Sequence, residues 1–414
     1  MTYSGRFLPF PIPTQTSLPY QAVLRRYTVW YSEAIASNPF ITDRPLAPDE
    51  LAGRGAEIQK LFELAEGGHN SLLLGPRRYG KTSLLRAVQA EAARQGWATV
   101  LVDFYGVVSL PEMAIRVEEA YRTGLQGPLK RWYAGVVRTW SPRFRLGVPG
   151  GGPEIEAGPT PEGDDQRLLT ELLELPRGVM KSSGKRTLVI FDEFQSVLGA
   201  DDKADALIRS VIQHHQDEAS YVFAGSEPGL MAQLFSTRER PLFGQARPLR
   251  LTALGDDILA GYIGERFDRS GRDPGAGLEP LLFTVRGHPQ RAMLTAYHLW
   301  DVTPAGSAAT EEHWATALDA TLAELQEVFE NVWEALPSNE RRTMTAVAWT
   351  GPWGQGRTLY AKDSLNRFKL SKSAVQFSSK NLVKKGELED VDGVLRLVDP
   401  LLEAWIASGR RPRY

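Results

Sequence analysis

GPRRYGKT, residues 75–82, joins the apolar run SLLL (71–74) to SLLRAV (83–88), so two glycines five residues apart sit where a buried strand gives way to a helix. The stretch fits G-x-x-x-x-G-K-[ST] without adjustment and has the strand-loop-helix context which that pattern requires. The glycines permit a loop whose backbone N–H groups face inward, and the helix N-terminus adds partial positive charge. Gly75, Pro76, Arg77, Arg78, Tyr79, Gly80, Lys81, Thr82 and Ser83 are therefore expected to line a nucleotide phosphate site. Lys81 is expected to reach the terminal phosphates, and the Thr82 hydroxyl to ligate Mg2+.

A phosphate loop of this kind needs a carboxylate at the tip of a neighbouring strand, and TLVIFDEF (187–194) supplies one. Asp192 at the strand end can hold the Mg2+ shell, and Glu193 beside it can polarise an attacking water. A purely structural reading of the pair, as a helix N-cap, has less to recommend it with GPRRYGKT upstream.

Composition sets wider bounds. At 414 residues and 42% hydrophobic content, two or three domains with sizeable cores are expected. Lys plus Arg total 48 against 50 for Asp plus Glu, so the net charge of -2 carries no whole-chain signature of nucleic-acid binding. The absence of cysteine excludes disulfides and thiolate metal sites. His214 and His215 in VIQHHQDE read as solvated helix surface rather than a joint metal site. The N-terminus lacks a signal-peptide pattern and no run is long enough for a membrane span, so the cytoplasm is the expected address, with no membrane partner.

Outward from the loop, helices alternate with continuous apolar runs: SLLLG, ATVLVDFYG, TLVIFDEF, YVFAGSE and PLRLTAL. That pattern predicts an α/β fold, a parallel sheet with helices on both faces. Four segments follow: an N-terminal arm and helix (1–48), a P-loop core (49–254) with an insertion at about 128–165, a helical lid (255–321), and a C-terminal unit with a basic tail (322–414). Within the insertion, Lys130, Arg131, Arg138, Arg143 and Arg145 interleave with Trp132, Tyr133, Trp140 and Phe144, a pattern open to base stacking or to inward-packed aromatics with wet cations. In the last unit DSLNRFKL, SKSAVQFSSKNLVKKG and a hairpin turning at Asp392-Gly393 have the order of a winged helix-turn-helix. Residues 331–414 hold 14 Lys and Arg against 9 Asp and Glu, a local basic surface.

The succession GRGAEIQKL, LLLGPRRYGKTSLL, LVIFDEFQSVL, YVFAGSEPGLM, GHPQRA and LRLVDPLLEAWI resembles the archaeal-type ATPase family, AAA+- and STAND-related P-loop ATPases with a C-terminal winged helix and many bacterial members. The resemblance covers residues 45–406, with GPRRYGKT and DPLLEAWI its most specific parts. It implies that Gly53 and Arg54 lie near the adenine, that Ser226 senses the terminal phosphate or the attacking water, and that Arg291 is a lid arginine reaching the γ-phosphate. One departure stands out: where relatives read P-L-Y-G-R this chain has PLFGQA, with Gln245 in the arginine's place and Arg238, Arg240 and Arg247 nearby. Without that arginine, intrinsic turnover is expected to be slow.

The function these residues predict is an ATP-binding and ATP-hydrolysing switch with Mg2+, coupled to the winged helix. Lys81, Glu193, Ser226 and Arg291 would carry the chemistry. The partner stays open: double-stranded DNA through Lys372, Lys380, Lys384, Lys385, Arg410, Arg411 and Arg413, or a protein partner of a nucleotide-timed scaffold that oligomerises.

Overall fold

In the computed structural model, which describes residues 37–139, 164–351, 358–391 and 393–410, the phosphate loop is embedded in a βα alternation. The chain runs through α1 (Gly55–Glu66), β1 (Ser71–Leu74), α2 (Lys81–Arg94) and β2 (Ala98–Asp103). Next come α3 (Leu110–Gly124), α4 (Gly127–Thr139), α5 (Asp164–Leu173), α6 (Leu175–Ser183) and β3 (Thr187–Asp192). After these come α7 (Ala204–Ile212), β4 (Ala219–Gly225), α8 (Pro228–Ser236) and β5 (Arg247–Arg250).

The five strands form one parallel sheet in the order β2-β3-β4-β1-β5. Every residue of β3 and β4 is buried, as a strand covered on both faces must be. The two-residue period shows in β3: Val189 and Phe191 join the core beneath α3 and α5, while Leu188 and Ile190 join the core beneath α1 and α2. Phe191, Phe194 and Phe223 form an aromatic cluster under the strand tips, with Phe194–Phe223 centroids 4.7 Å apart.

Beyond β5 the chain is helical: α9 (Asp256–Arg269), α10 (Leu278–Val285), α11 (Pro289–Val302), α12 (Glu311–Glu324), α13 (Gln326–Glu334) and α14 (Ser338–Thr350). α15 (Lys362–Phe368) and α16 (Lys372–Lys385) precede the antiparallel pair β6 (Leu388–Val391) and β7 (Val394–Leu397), and α17 (Pro400–Ala407) is the last helix among the described residues. Local chemistry sets these ends. Ser371 caps α16 by accepting from the Ala374 N–H, and Gly386 ends it in the left-handed conformation. α17 is anchored by Trp405, which is fully buried against Trp333 with ring centroids 6.1 Å apart.

One expectation changes, and one open reading narrows. The helix expected over ADALIRSVIQHHQDE stops at Ile212, so His215 lies beyond it, buried rather than solvated. Its Nδ1 sits 2.7 Å from the Tyr221 hydroxyl and its Nε2 3.3 Å from Glu174, and burial pushes its pKa down. In α4 the aromatics pack inward while Lys130 and Arg131 stay exposed: Tyr133 donates to Glu118, and Trp132 packs against Gly178. Arg143, Arg145, Trp140 and Phe144 lie outside the described residues, as do most of the N-terminal arm, Asp392, Arg411 and Arg413, and the Arg138 side chain.

Candidate functional site

The parallel sheet places the C-terminal ends of β1, β4 and β3 side by side, and the expected groups meet there. The loop after β1 turns into α2 through Arg78 (φ 65°) and Gly80 (φ 81°), both left-handed. Gly80 tolerates this freely, whereas Arg78 carries backbone strain of about 1 kcal/mol. No side chain among the described residues caps α2, and a helix N-terminus carries partial positive charge that favours an anion.

Lys81 is buried, and its ammonium donates to the carbonyls of Gly75 (2.9 Å) and Pro76 (2.7 Å), both within its own loop. Burial lowers its pKa, while the charges of Glu193 and Asp192 act to raise it. The Thr82 hydroxyl donates to Asp192 Oδ2 at 2.8 Å, and the Glu193 N–H to Asp192 Oδ1 at 3.0 Å. Asp192 is 3% exposed; burial pushes its pKa up, and the Thr82 hydrogen bond works against that. The two hard oxygens of Thr82 and Asp192 suit Mg2+, which takes one or two protein ligands together with substrate phosphates.

Glu193 is itself left-handed (φ 48°). Its Oε2 accepts from the Ser226 hydroxyl at 2.7 Å and from Gln195 Nε2 at 2.5 Å. The tip of β4 thus delivers Ser226 to Glu193.

The remaining loop residues are tied to other elements. Arg77 is exposed and pairs with Glu227 at 2.9 Å. The Tyr79 ring lies 4.7 Å from His288 at the start of α11, and burial followed by the charge of Glu389 pushes its hydroxyl up to about 12. Ser83 accepts from the Leu46 N–H at 3.0 Å. Gly53 precedes α1 and packs against Ile258. Arg54, only 4% exposed, joins Glu57 (2.9 Å) to the Thr252 carbonyl (2.8 Å).

Arg291 is buried in α11, and its guanidinium is committed to Asp399, the residue capping α17. Nε lies 2.9 Å from Oδ2, and a second nitrogen also contacts that oxygen. Burial acts to raise the Asp399 pKa but Arg291 outweighs it, holding the carboxyl below its usual range. Arg78 feels both charges, its own pKa lowered first by burial and then by Arg291. Two further carboxylates of the hairpin face the loop. Burial raises the pKa of Glu387, with Asp399 adding and Arg77 opposing, and that of Glu389, with Arg286 opposing.

Compared with known structures, the chain has a TM-score of 0.61 to the Walker-type ATPase paby2304 of Pyrococcus abyssi, at 18% identity over 88% of this chain and 98% of that one. The fold is that of the P-loop ATPases. The Aeropyrum pernix ORC2 protein, solved in ADPNP and ADP complexes, gives 0.54 at 15% identity, covering 89% of this chain and 97% of that one. At these identities the likeness is one of fold. No protein-family model matches the chain, and no curated protein does either.

Three residues of this P-loop site escaped the sequence reading: Gln195, His288 and Asp399. Asp399 lies within DPLLEAWI, but its pairing with a residue 108 positions away leaves no local signal. Two cations of the expected DNA face are also engaged internally. Lys385 pairs with Glu340 at 2.7 Å, and α16 packs on α8 so closely that a β-carbon at Gly229 would lie 3.1 Å from the Lys384 carbonyl. Arg410 pairs with Asp319. Lys372 and Lys380 remain exposed. Of the arginines near Gln245, Arg240 faces Asp205 at 3.7 Å, while Arg238 and Arg247 are exposed.

Proposed function

We propose that the chain is an ATP-hydrolysing conformational switch of the AAA+ and STAND-related kind, built as a P-loop core (49–254), a helical lid (255–321) and a C-terminal winged helix (322–414). The observation that carries this reading is the convergence of Lys81, Thr82, Asp192, Glu193 and Ser226 at three adjacent strand ends. Loop N–H groups and the α2 N-terminus receive the phosphates, and Lys81 exchanges its own loop carbonyls for phosphate oxygens. Thr82 and Asp192 would hold Mg2+, which would supply charge neutralisation to the bound phosphates. Glu193 takes the proton of the attacking water, and Gly53 and Arg54 border the adenine.

Coupling runs through Arg291. Asp399 holds it now, and a γ-phosphate arriving at the loop offers a competing anion beside Arg78 and His288. Exchange of one anion for the other loosens α17 and the hairpin from the loop, and hydrolysis restores the pair. A switch of this type requires two states that differ in their contacts to the γ-phosphate, and Arg291 provides that difference.

Double-stranded DNA is the partner that the exposed lysines of α16 favour, once the helix leaves α8. The docking of α16 on α8 supports a second reading, a nucleotide-timed protein scaffold that assembles on release. Steady-state phosphate release from Mg-ATP separates the two, with wild type compared against Glu193→Gln, each with and without duplex DNA at low and moderate salt. Stimulation by DNA that fades with salt makes this a DNA-coupled ATPase. Slow turnover indifferent to DNA, still lost in the variant, makes it a timer. Wild-type turnover in Glu193→Gln removes the assignment of the base.

A further inference from the structure

Gln195 is 5% exposed, in the short turn between β3 and the rest of the core. Its Nε2 donates to Glu193 Oε2, the oxygen that also receives the Ser226 hydroxyl. Both donors therefore converge on one oxygen of a residue whose backbone is strained, and Oε1 accepts no hydrogen bond among the described residues. The neighbouring strand makes room for this: a β-carbon at Gly225 would come within 2.5 Å of Gln195 Oε1. Phe194, fully buried in the aromatic cluster, anchors the turn from below.

The same side chain pays a penalty elsewhere. Among the described residues Gln195 Oε1 is buried without a hydrogen-bond partner, an arrangement that a methionine or leucine of similar volume would avoid. Packing alone gives no reason for an amide at this position. Its one side-chain hydrogen bond among the described residues is to the carboxylate.

We infer that Gln195 is a positioning residue for water activation, which together with Ser226 immobilises Glu193 through Oε2 and leaves Oε1 as the proton acceptor. The inference rests on the reading of Glu193 as the base. Gln195 touches no substrate; it acts through the orientation of Glu193, so its loss lowers the rate of the chemical step and leaves nucleotide affinity alone.

The test compares Gln195→Met, close in volume but without the donor, and Gln195→Asn, whose amide is one methylene too short, with wild type and Glu193→Gln. Nucleotide affinity is read by fluorescent-nucleotide titration, the chemical step by single-turnover phosphate release, and folding by thermal melts. A lost hydrogen bond to a charged group corresponds to a fall of about tenfold or more in kcat, with nucleotide affinity unchanged and Gln195→Met melting at or above the wild-type temperature. In the Glu193→Gln background, Gln195→Met should produce no further loss, because its only route to the chemistry is already gone. An unchanged kcat overturns the inference, as does a loss that multiplies in full on the Glu193→Gln background or a parallel fall in nucleotide affinity. Wild-type turnover in Glu193→Gln itself would instead show that the base was misassigned.

Discussion

Asp399→Asn tests the switch directly. Asparagine caps a helix N-terminus about as well as aspartate, so α17 should keep the hydrogen bonds that Asp399 Oδ1 accepts from the N–H groups of Leu401 and Leu402. What is lost is the charge opposite Arg291. A charge-assisted hydrogen bond contributes about 1.5–3 kcal/mol, and Arg291, 1% exposed with one guanidinium nitrogen already unpartnered, would be left as a buried cation without its anion. The nucleotide-free variant should therefore melt earlier. A γ-phosphate no longer has to displace a carboxylate, so affinity for a non-hydrolysable ATP analogue should rise by roughly 10- to 100-fold, the equivalent of that 1.5–3 kcal/mol. ADP, with no γ-phosphate to meet Arg291, should gain little. Calorimetric titration of both nucleotides into wild type, Asp399→Asn and Arg291→Met gives the comparison, and Arg291→Met should erase the preference for ATP. Equal gains for ATP and ADP in Asp399→Asn, or no gain for either, would refute the competition between Asp399 and the γ-phosphate.

Other outcomes follow from the same geometry. Lys81→Ala should abolish nucleotide binding in a fluorescence titration, while Glu193→Gln should bind normally and lose turnover. His288, 2% exposed, has its pKa lowered from 6.5 to about 4, chiefly by burial. The unfolded chain binds that proton first, so stability is intact above pH 6.5 and falls by about 3 kcal/mol as pH drops toward 4. Melting curves across that range should show His288→Asn losing less stability on acidification than wild type. Phe223→Ala, which empties the aromatic cluster beneath the strand tips, should cost about 3–5 kcal/mol in urea unfolding. If the C-terminal unit takes DNA, Lys372→Glu with Lys380→Glu should weaken binding in anisotropy at low salt more than Lys385→Gln, whose ammonium is already paired with Glu340.

What the sequence disclosed and what it withheld divide along contact range. GPRRYGKT and the Asp192-Glu193 pair are legible because their arrangement is local: a strand, a loop of fixed spacing and a helix N-terminus are all specified within a few residues. The buried parallel strands are legible for a similar reason, since β3 and β4 are apolar at nearly every position. His215 misled because adjacency in VIQHHQDE resembles helix surface, while its burial is set by Tyr221 and Glu174 on other elements. Arg291 shows the same limit at the site itself. A motif can single out Arg291 in α11, but what its guanidinium meets depends on Asp399, 108 residues on. That dependence gives the proposed switch its physical content. A cation held by one anion and wanted by another can report which is present. Asp399 caps α17, so in the proposed switch the energy of one buried ion pair would tie γ-phosphate occupancy to the position of the C-terminal unit.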